Sequence, residues 1–174
     1  LPLNGIQQLL NSKIHENRLV GLFILIDQYK GINNKRKYYD FYLKNTSKIN
    51  NWDLVDLSAP NIVGDYLIDK NKKVLYKLVK SKLIWERRIA VLATFSFIRN
   101  NDFDDILKLS EMLLNDKHDL MHKAVGWMLR EVGKKNQAVE ERFLKKYHKI
   151  MPRTMLRYAI EKFDEKKRKF YMVK

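Results

Sequence analysis

"WDLVDLSAPNIVGDYLID", residues 52 to 69, returns apolar side chains at steps of three and four, with Val55, Ala59, Ile62 and Tyr66 following one stripe. That spacing is the period of an α-helix packed on one side. Asn51 is placed to cap it, and Asp53 in the first turn suits the positive end of the helix dipole. Working outward, four more segments have the same character: His15–Lys30, Ile84–Asn100, Asp119–Lys134 and Arg153–Phe163. Asp119 opens its helix as Asp53 does, Gly133 falls near the end of that helix, and Pro152 leads into the last one. The five begin at 15, 52, 84, 119 and 153, so successive starts lie 37, 32, 35 and 34 residues apart. Shorter helical stretches fall between them, near Asn4–Asn11, Lys35–Lys48, Lys72–Lys80, Phe103–Leu114 and Ala138–Ile150. A long and a short helix recurring at a near-constant step is the mark of stacked helix pairs. One pair has too little apolar surface to stand alone, so neighbours stack. The expected fold is all-α, an α-solenoid.

Of the 174 residues, 45% are hydrophobic and 32% charged, which is enough apolar material for the core of one domain. Six glycines and three prolines leave the helices nearly unbroken. There is no cysteine, which removes disulfides, thiolate metal sites and a cysteine nucleophile and fits a reducing cytoplasm. The longest apolar run, Leu19 to Ile26, falls well short of the roughly 20 residues of a membrane span, so no membrane role is expected. Lys and Arg number 35 against 20 Asp and Glu, a formal net charge of +15. The excess points to an anionic partner, nucleic acid first, although a lysine-rich solubilising surface gives the same count. No linker divides the chain, so residues 1–174 read as a single domain ending in the basic tail "EKKRKFYMVK". The first residue is Leu1 and no signal-peptide order follows it, which suggests a chain shortened at its amino terminus.

Four constellations carry possible chemistry. Trp52 and Asp56 lie at i and i+4 on one helix face. A Trp in a repeat helix is usually core and a lone Asp usually surface, so this stretch alone leaves both readings open. In "SKLIWERRIAVLATFSF", residues 81 to 97, Arg87 and Arg88 open an otherwise apolar helix, and Trp85 is expected in the core. With repeats superposed by their helix starts, Arg88 falls near the level of Asp56, where a guanidinium holds a carboxylate or simply bridges two repeats. In "HDLMHKAVGWMLREVGKK", residues 118 to 135, Lys123, Trp127 and Arg130 share a stripe suited to a nucleic-acid backbone with a sugar or base on the indole. His118 and His122 lack a third ligand and an HExxH pattern, so they read as capping and surface groups. In "MPRTMLRYAIEKF", residues 151 to 163, Arg153 and Arg157 suit phosphates, while Glu161 offers Arg157 an equally available partner. No phosphate loop or nucleophile elbow occurs, which speaks against nucleotide hydrolysis and acyl transfer.

Taken together and in order, "NNWDLVDLSAPNIVGDYL", "IWERRIAVL", "HKAVGWMLREVGK" and "MPRTMLRYAIEKF" resemble the AlkD-like DNA alkylation repair glycosylases, a HEAT-like-repeat family. The resemblance covers most of residues 15 to 165. It implies HEAT-like helix pairs with a basic concave face, Asp56 as the catalytic aspartate, Trp52 and Trp127 as the active-site indoles, and Arg88 as the arginine beside the aspartate. Arg130 would face the DNA backbone, and charge and placement suggest the same for Lys123, Arg153 and Arg157. Family members usually carry further helices before the region matching Leu1, which agrees with a shortened chain.

The implied reaction is hydrolysis of the N-glycosidic bond of cationic N3- or N7-alkylated purines in duplex DNA. Such a base already carries positive charge and departs neutral, so the second carboxyl group that glycosidases need for a neutral leaving group is dispensable. Positive charge then grows on the deoxyribose, where a carboxylate and two indole faces stabilise it. The resemblance further implies that the base is not swung into a pocket, unlike the usual extrusion route. The expectation is a monomeric, cytoplasmic enzyme acting on alkylated double-stranded DNA, with no cofactor, metal or membrane. A non-catalytic scaffold gripping damaged or branched DNA is the alternative, and a protein-interaction solenoid a third.

Overall fold

The computed structural model describes residues 1–173, and among them every regular element is helical. The class is all-α, as the periodicity requires. The chain forms two compact units, Leu1–Ser96 and the residues from Phe97 onward.

The first unit holds α1 (Leu3–Leu10), α2 (His15–Lys30), α3 (Lys35–Lys44), α4 (Trp52–Ala59), the short α5 (Asp65–Leu67), α6 (Lys73–Leu78) and most of α7 (Ile84–Arg99). The second holds α8 (Asp104–Met112), α9 (Asp119–Lys135), α10 (Gln137–Tyr147), α11 (Arg153–Ala159) and α12 (Glu165–Met172). The main helices begin at the five positions predicted. In the first unit α2 packs on α1, α3 and α4; in the second α9 packs on α8, α10 and α11. Within each unit a main helix thus meets short partners and another main helix, α2 with α4 and α9 with α11, the arrangement by which incomplete repeats share a core.

A common device starts three of the main helices. Before α2, Ser12 Oγ accepts from the amide of Ile14 at 3.1 Å, and Arg18 donates to the carbonyls of Ser12 and Lys13. Before α7, Ser81 Oγ accepts from the amide of Leu83 at 3.1 Å, and Arg87 donates to the carbonyls of Ser81 and Lys82. Before α9, the carboxylate of Asp116 accepts from the His118 amide, and the His122 ring bonds the Asp116 carbonyl. Each time, a side chain six residues into the sequence ties off the loop that feeds the helix, satisfying backbone groups no helix can reach.

Between α4 and α5 the backbone widens into a π-helical segment, Pro60–Gly64. The sequence period predicts one uninterrupted helix there. Proline has no N–H and crowds the carbonyl four residues back, here that of Asp56, so the regular ladder cannot continue. Side chains repair the surroundings. Ser58 donates to the Leu54 carbonyl, Asn61 to the Leu57 carbonyl at 2.7 Å, and Ser96 of α7 to the Pro60 carbonyl at 2.8 Å. At Gly64 an added Cβ would sit 2.3 Å from the Ala93 carbonyl oxygen and 2.8 Å from Ser96 Oγ. Backbone therefore meets backbone here, and the register of α7 against α4 is fixed.

The second unit uses the same economy of space. A Cβ at Gly126 would lie 2.4 Å from the Met155 carbonyl oxygen, so α9 and α11 approach to backbone contact. Gly133 does not end α9, which runs on to Lys135 with Asn136 as its cap. Its missing side chain instead makes room for Glu140, whose carboxyl group would overlap a Cβ there. The cap of α9 is His118, which accepts from the Leu120 amide, while Asp119 pairs with Lys123. Residues 165–172, expected to be part of a basic tail, form α12. Asp164 caps it, Tyr171 is buried at its far end, and Arg153 donates to the Met172 carbonyl at 2.8 Å.

Candidate active site

α4 enters at Asn51, whose side-chain oxygen accepts from the Trp52 amide at 2.8 Å. The carboxylate of Asp53 accepts from the Leu54 amide and meets His15 Nε2 at 2.7 Å. Asp53 is thus committed to anchoring the start of α4 against the start of α2. With the helix end fixed, the next side chains take set directions. Leu54 and Val55 turn into the core, whereas Trp52 is 53% exposed despite being the largest side chain of the segment. One turn on, Asp56 shares its face.

Asp56 is held by Arg88 of α7. The guanidinium donates through Nε to one carboxylate oxygen and through an Nη to the other, both at 2.7 Å. The side chains are 15% and 6% exposed for Asp56 and Arg88, so the pair lies at the edge of the core with the carboxylate the more open member. A two-point fork fixes the plane of the carboxylate as well as its position. Beneath α4, the buried Tyr42 hydroxyl bonds Ser58 at 2.9 Å. Its phenol is held far above the usual range, first by burial and further by the negative charge of Asp56, with the Ser58 bond opposing. Asp56 is thus a fixed negative charge on a rigid helix, next to an exposed indole.

The stripe of α9 is more occupied than its sequence suggests. Lys123 pairs with Asp119 at 2.8 Å. The half-buried Trp127 donates through Nε1 to Glu131 at 3.1 Å. Arg130 is bound to Glu161 and lies 3.7 Å from Glu131, and its side chain is only 17% exposed. Arg153 bonds the last carbonyl of α12, whereas Arg157 is exposed. Glu161 serves Arg130 and Lys162 instead of Arg157. Trp85, expected in the core, is half-buried.

The structure therefore brings Trp52, Asp56 and Arg88 together in the first unit, and Trp127, Glu131 and Arg130 together in the second. Among the described residues no group of three or more His, Asp or Glu gathers as a metal site, and no helix is long and apolar enough to cross a membrane.

Across residues 3–163, the chain matches the family described as DNA alkylation repair enzyme. It belongs to that family. A search of the curated proteins gave no match. The match spans both compact units and so takes in both α4 and α9. The net charge of +15 suits a family whose work is on DNA. Only α12 lies wholly outside the matched residues. Glu131 was missed by reading basic and aromatic residues alone. Its spacing, four residues after Trp127 and three before Lys134, is the signal that marks it.

Proposed function

We propose that the protein is a monofunctional DNA glycosylase that hydrolyses the N-glycosidic bond of cationic N3- and N7-alkylated purines in duplex DNA. The observation that carries this reading is the Asp56 carboxylate, locked by the Arg88 fork on the same helix face as the exposed Trp52 indole. As the damaged base departs, charge grows on the deoxyribose. A carboxylate already in place stabilises that charge without reorganising and orients the attacking water. The π-faces of Trp52 and Trp127 add to the same field in this reading. Arg88 has a charge of the wrong sign for the transition state, so its contribution is geometric. Lys123, Arg130, Arg153 and Arg157 are the backbone contacts, on a basic concave face. For Lys123, Arg130 and Arg153 this means exchanging an existing partner for a phosphate. The residues act as a single domain and as a monomer, and the base is read without leaving the helix stack. A cytoplasmic setting completes the proposal.

The test is release of free 7-methylguanine from methylated duplex DNA under single-turnover conditions. We expect Asp56→Asn to slow release by roughly 10²- to 10³-fold, the scale of one lost electrostatic stabiliser. Equal rates for the two proteins remove Asp56 from the mechanism.

One observation favours the scaffold reading as the alternative. Both oxygens of Asp56 are engaged by Arg88, as they would be in a purely structural bridge between α4 and α7. Salt-sensitive binding to methylated duplex with no base released selects that reading.

A further inference from the structure

Glu131 stands at the centre of the α9 cluster without any role in the reading above. Its Oε1 alone accepts from Trp127 Nε1 at 3.1 Å and from Lys134 Nζ at 2.7 Å, and lies 3.7 Å from Arg130 Nε. The side chain is 14% exposed, too buried for a casual surface acid. All three partners sit on α9 within seven positions of one another, so the cluster is set by a single rigid helix. An indole has one donor and no acceptor, and a tryptophan on a helix has several rotamers open to it. Tying that donor to a carboxylate one turn away selects one of them. A hydrogen bond from N–H to an anion also pushes electron density into the ring, which deepens the negative potential of its π-face. The interaction that depends on that potential is attraction to a cation.

We propose that Glu131 is the positioning residue of Trp127: it fixes the indole plane and strengthens the ring as an acceptor for the cationic sugar, acting through the tryptophan rather than on the substrate. Lys134 holds the carboxylate in turn, and Arg130, bound to Glu161 and 3.7 Å from Glu131, stands beside it, so that the charges largely offset and the cluster adds little net field to a DNA-binding face. The inference rests on the glycosylase reading for its chemistry, but the contact itself can be tested without turnover.

The experiment compares the wild type with Glu131→Gln, which keeps shape and acceptor and removes charge, in the native and in the Trp127→Phe background. The first readout is the indole N–H resonance of Trp127, assigned as the one of three that Trp127→Phe deletes. The second is the single-turnover rate of 7-methylguanine release. We expect Glu131→Gln to shift the Trp127 resonance upfield and slow release roughly three- to tenfold, the range of one weakened cation–π contact. In the Trp127→Phe background, which has no donor to position, the same substitution is expected to change the rate less than twofold. An unmoved resonance overturns the proposal. So does an equal slowing in both backgrounds, because Glu131 would then act by general stability. A wild-type protein that releases no base defeats the glycosylase reading instead, and the resonance alone then decides the Glu131 contact.

Discussion

Arg88 has the wrong charge for the cation-stabilising site proposed above, and its value lies in what happens to Asp56 without it. Arg88→Ala leaves a largely buried carboxylate unpaired, and removing one member of such a pair typically costs about 3–5 kcal/mol. We expect urea denaturation to show a loss near the lower figure, since Asp56 keeps some contact with water. Adding Asp56→Asn to Arg88→Ala should recover part of it. Glu140 makes the opposite case, an acid buried without a partner. It is 1% exposed, its Oε1 makes no hydrogen bond, and its carboxyl group is pushed up to about 8, first by burial and then by Glu141, with Arg130 opposing. An ordinary glutamate titrates near 4.5. Between those values the folded chain keeps a proton that the unfolded chain has released, so stability falls as pH rises through that window. The expected loss from pH 5 to pH 8 is on the order of a few kcal/mol, and Glu140→Gln should flatten the profile. Equal slopes for both proteins would show that Glu140 finds compensation elsewhere. Asp56 and Arg88 were legible in the sequence because helix starts could be superposed. Glu140 was not, because nothing in its own helix says that Gly133 faces it.

Helices, more than their side chains, decide where Arg88 can reach. Gly64 brings the π segment onto the backbone of α7, and Ser96 takes the Pro60 carbonyl. Together they set the register that brings the guanidinium to Asp56. Gly64→Ala puts a methyl group against the carbonyl of Ala93, which cannot rotate away. We expect about 1–3 kcal/mol of destabilisation by thermal melting, and base release slowed beyond what the lost stability explains. Unchanged release with a lowered melting temperature would show that the register tolerates the shift. The main helix starts were readable from periodicity because apolar spacing reports burial directly. The π segment was not, since Pro60 keeps the apolar stripe in phase while breaking the hydrogen bonds. α12 was missed for another reason: its anchoring residue, Tyr171, is hidden among four consecutive basic residues and an exposed Phe170. The repeated Ser12–Arg18 and Ser81–Arg87 spacing lay open in the sequence and is the strongest local sign of repetition that periodicity passed over.

Charge acts on the whole molecule. With a net +15, the proposed binding to duplex DNA is a release of counterions as much as a set of contacts. Anisotropy titrations with undamaged duplex should give a log Kd that rises steeply with log salt, with a slope of roughly four or more. A nearly flat dependence would mean that the lysines serve solubility. The match to the DNA alkylation repair enzymes stops at Phe163, but α12 does not behave as an appendage. Its last carbonyl holds Arg153, and its Tyr171 is buried in edge contact with His148 and Phe163. Anyone trimming the gene at the edge of the homology would uncover those two rings and set a guanidinium loose at the head of α11. The shortened protein would be stickier and less sturdy, and its altered grip on nucleic acid could be mistaken for a property of the natural enzyme.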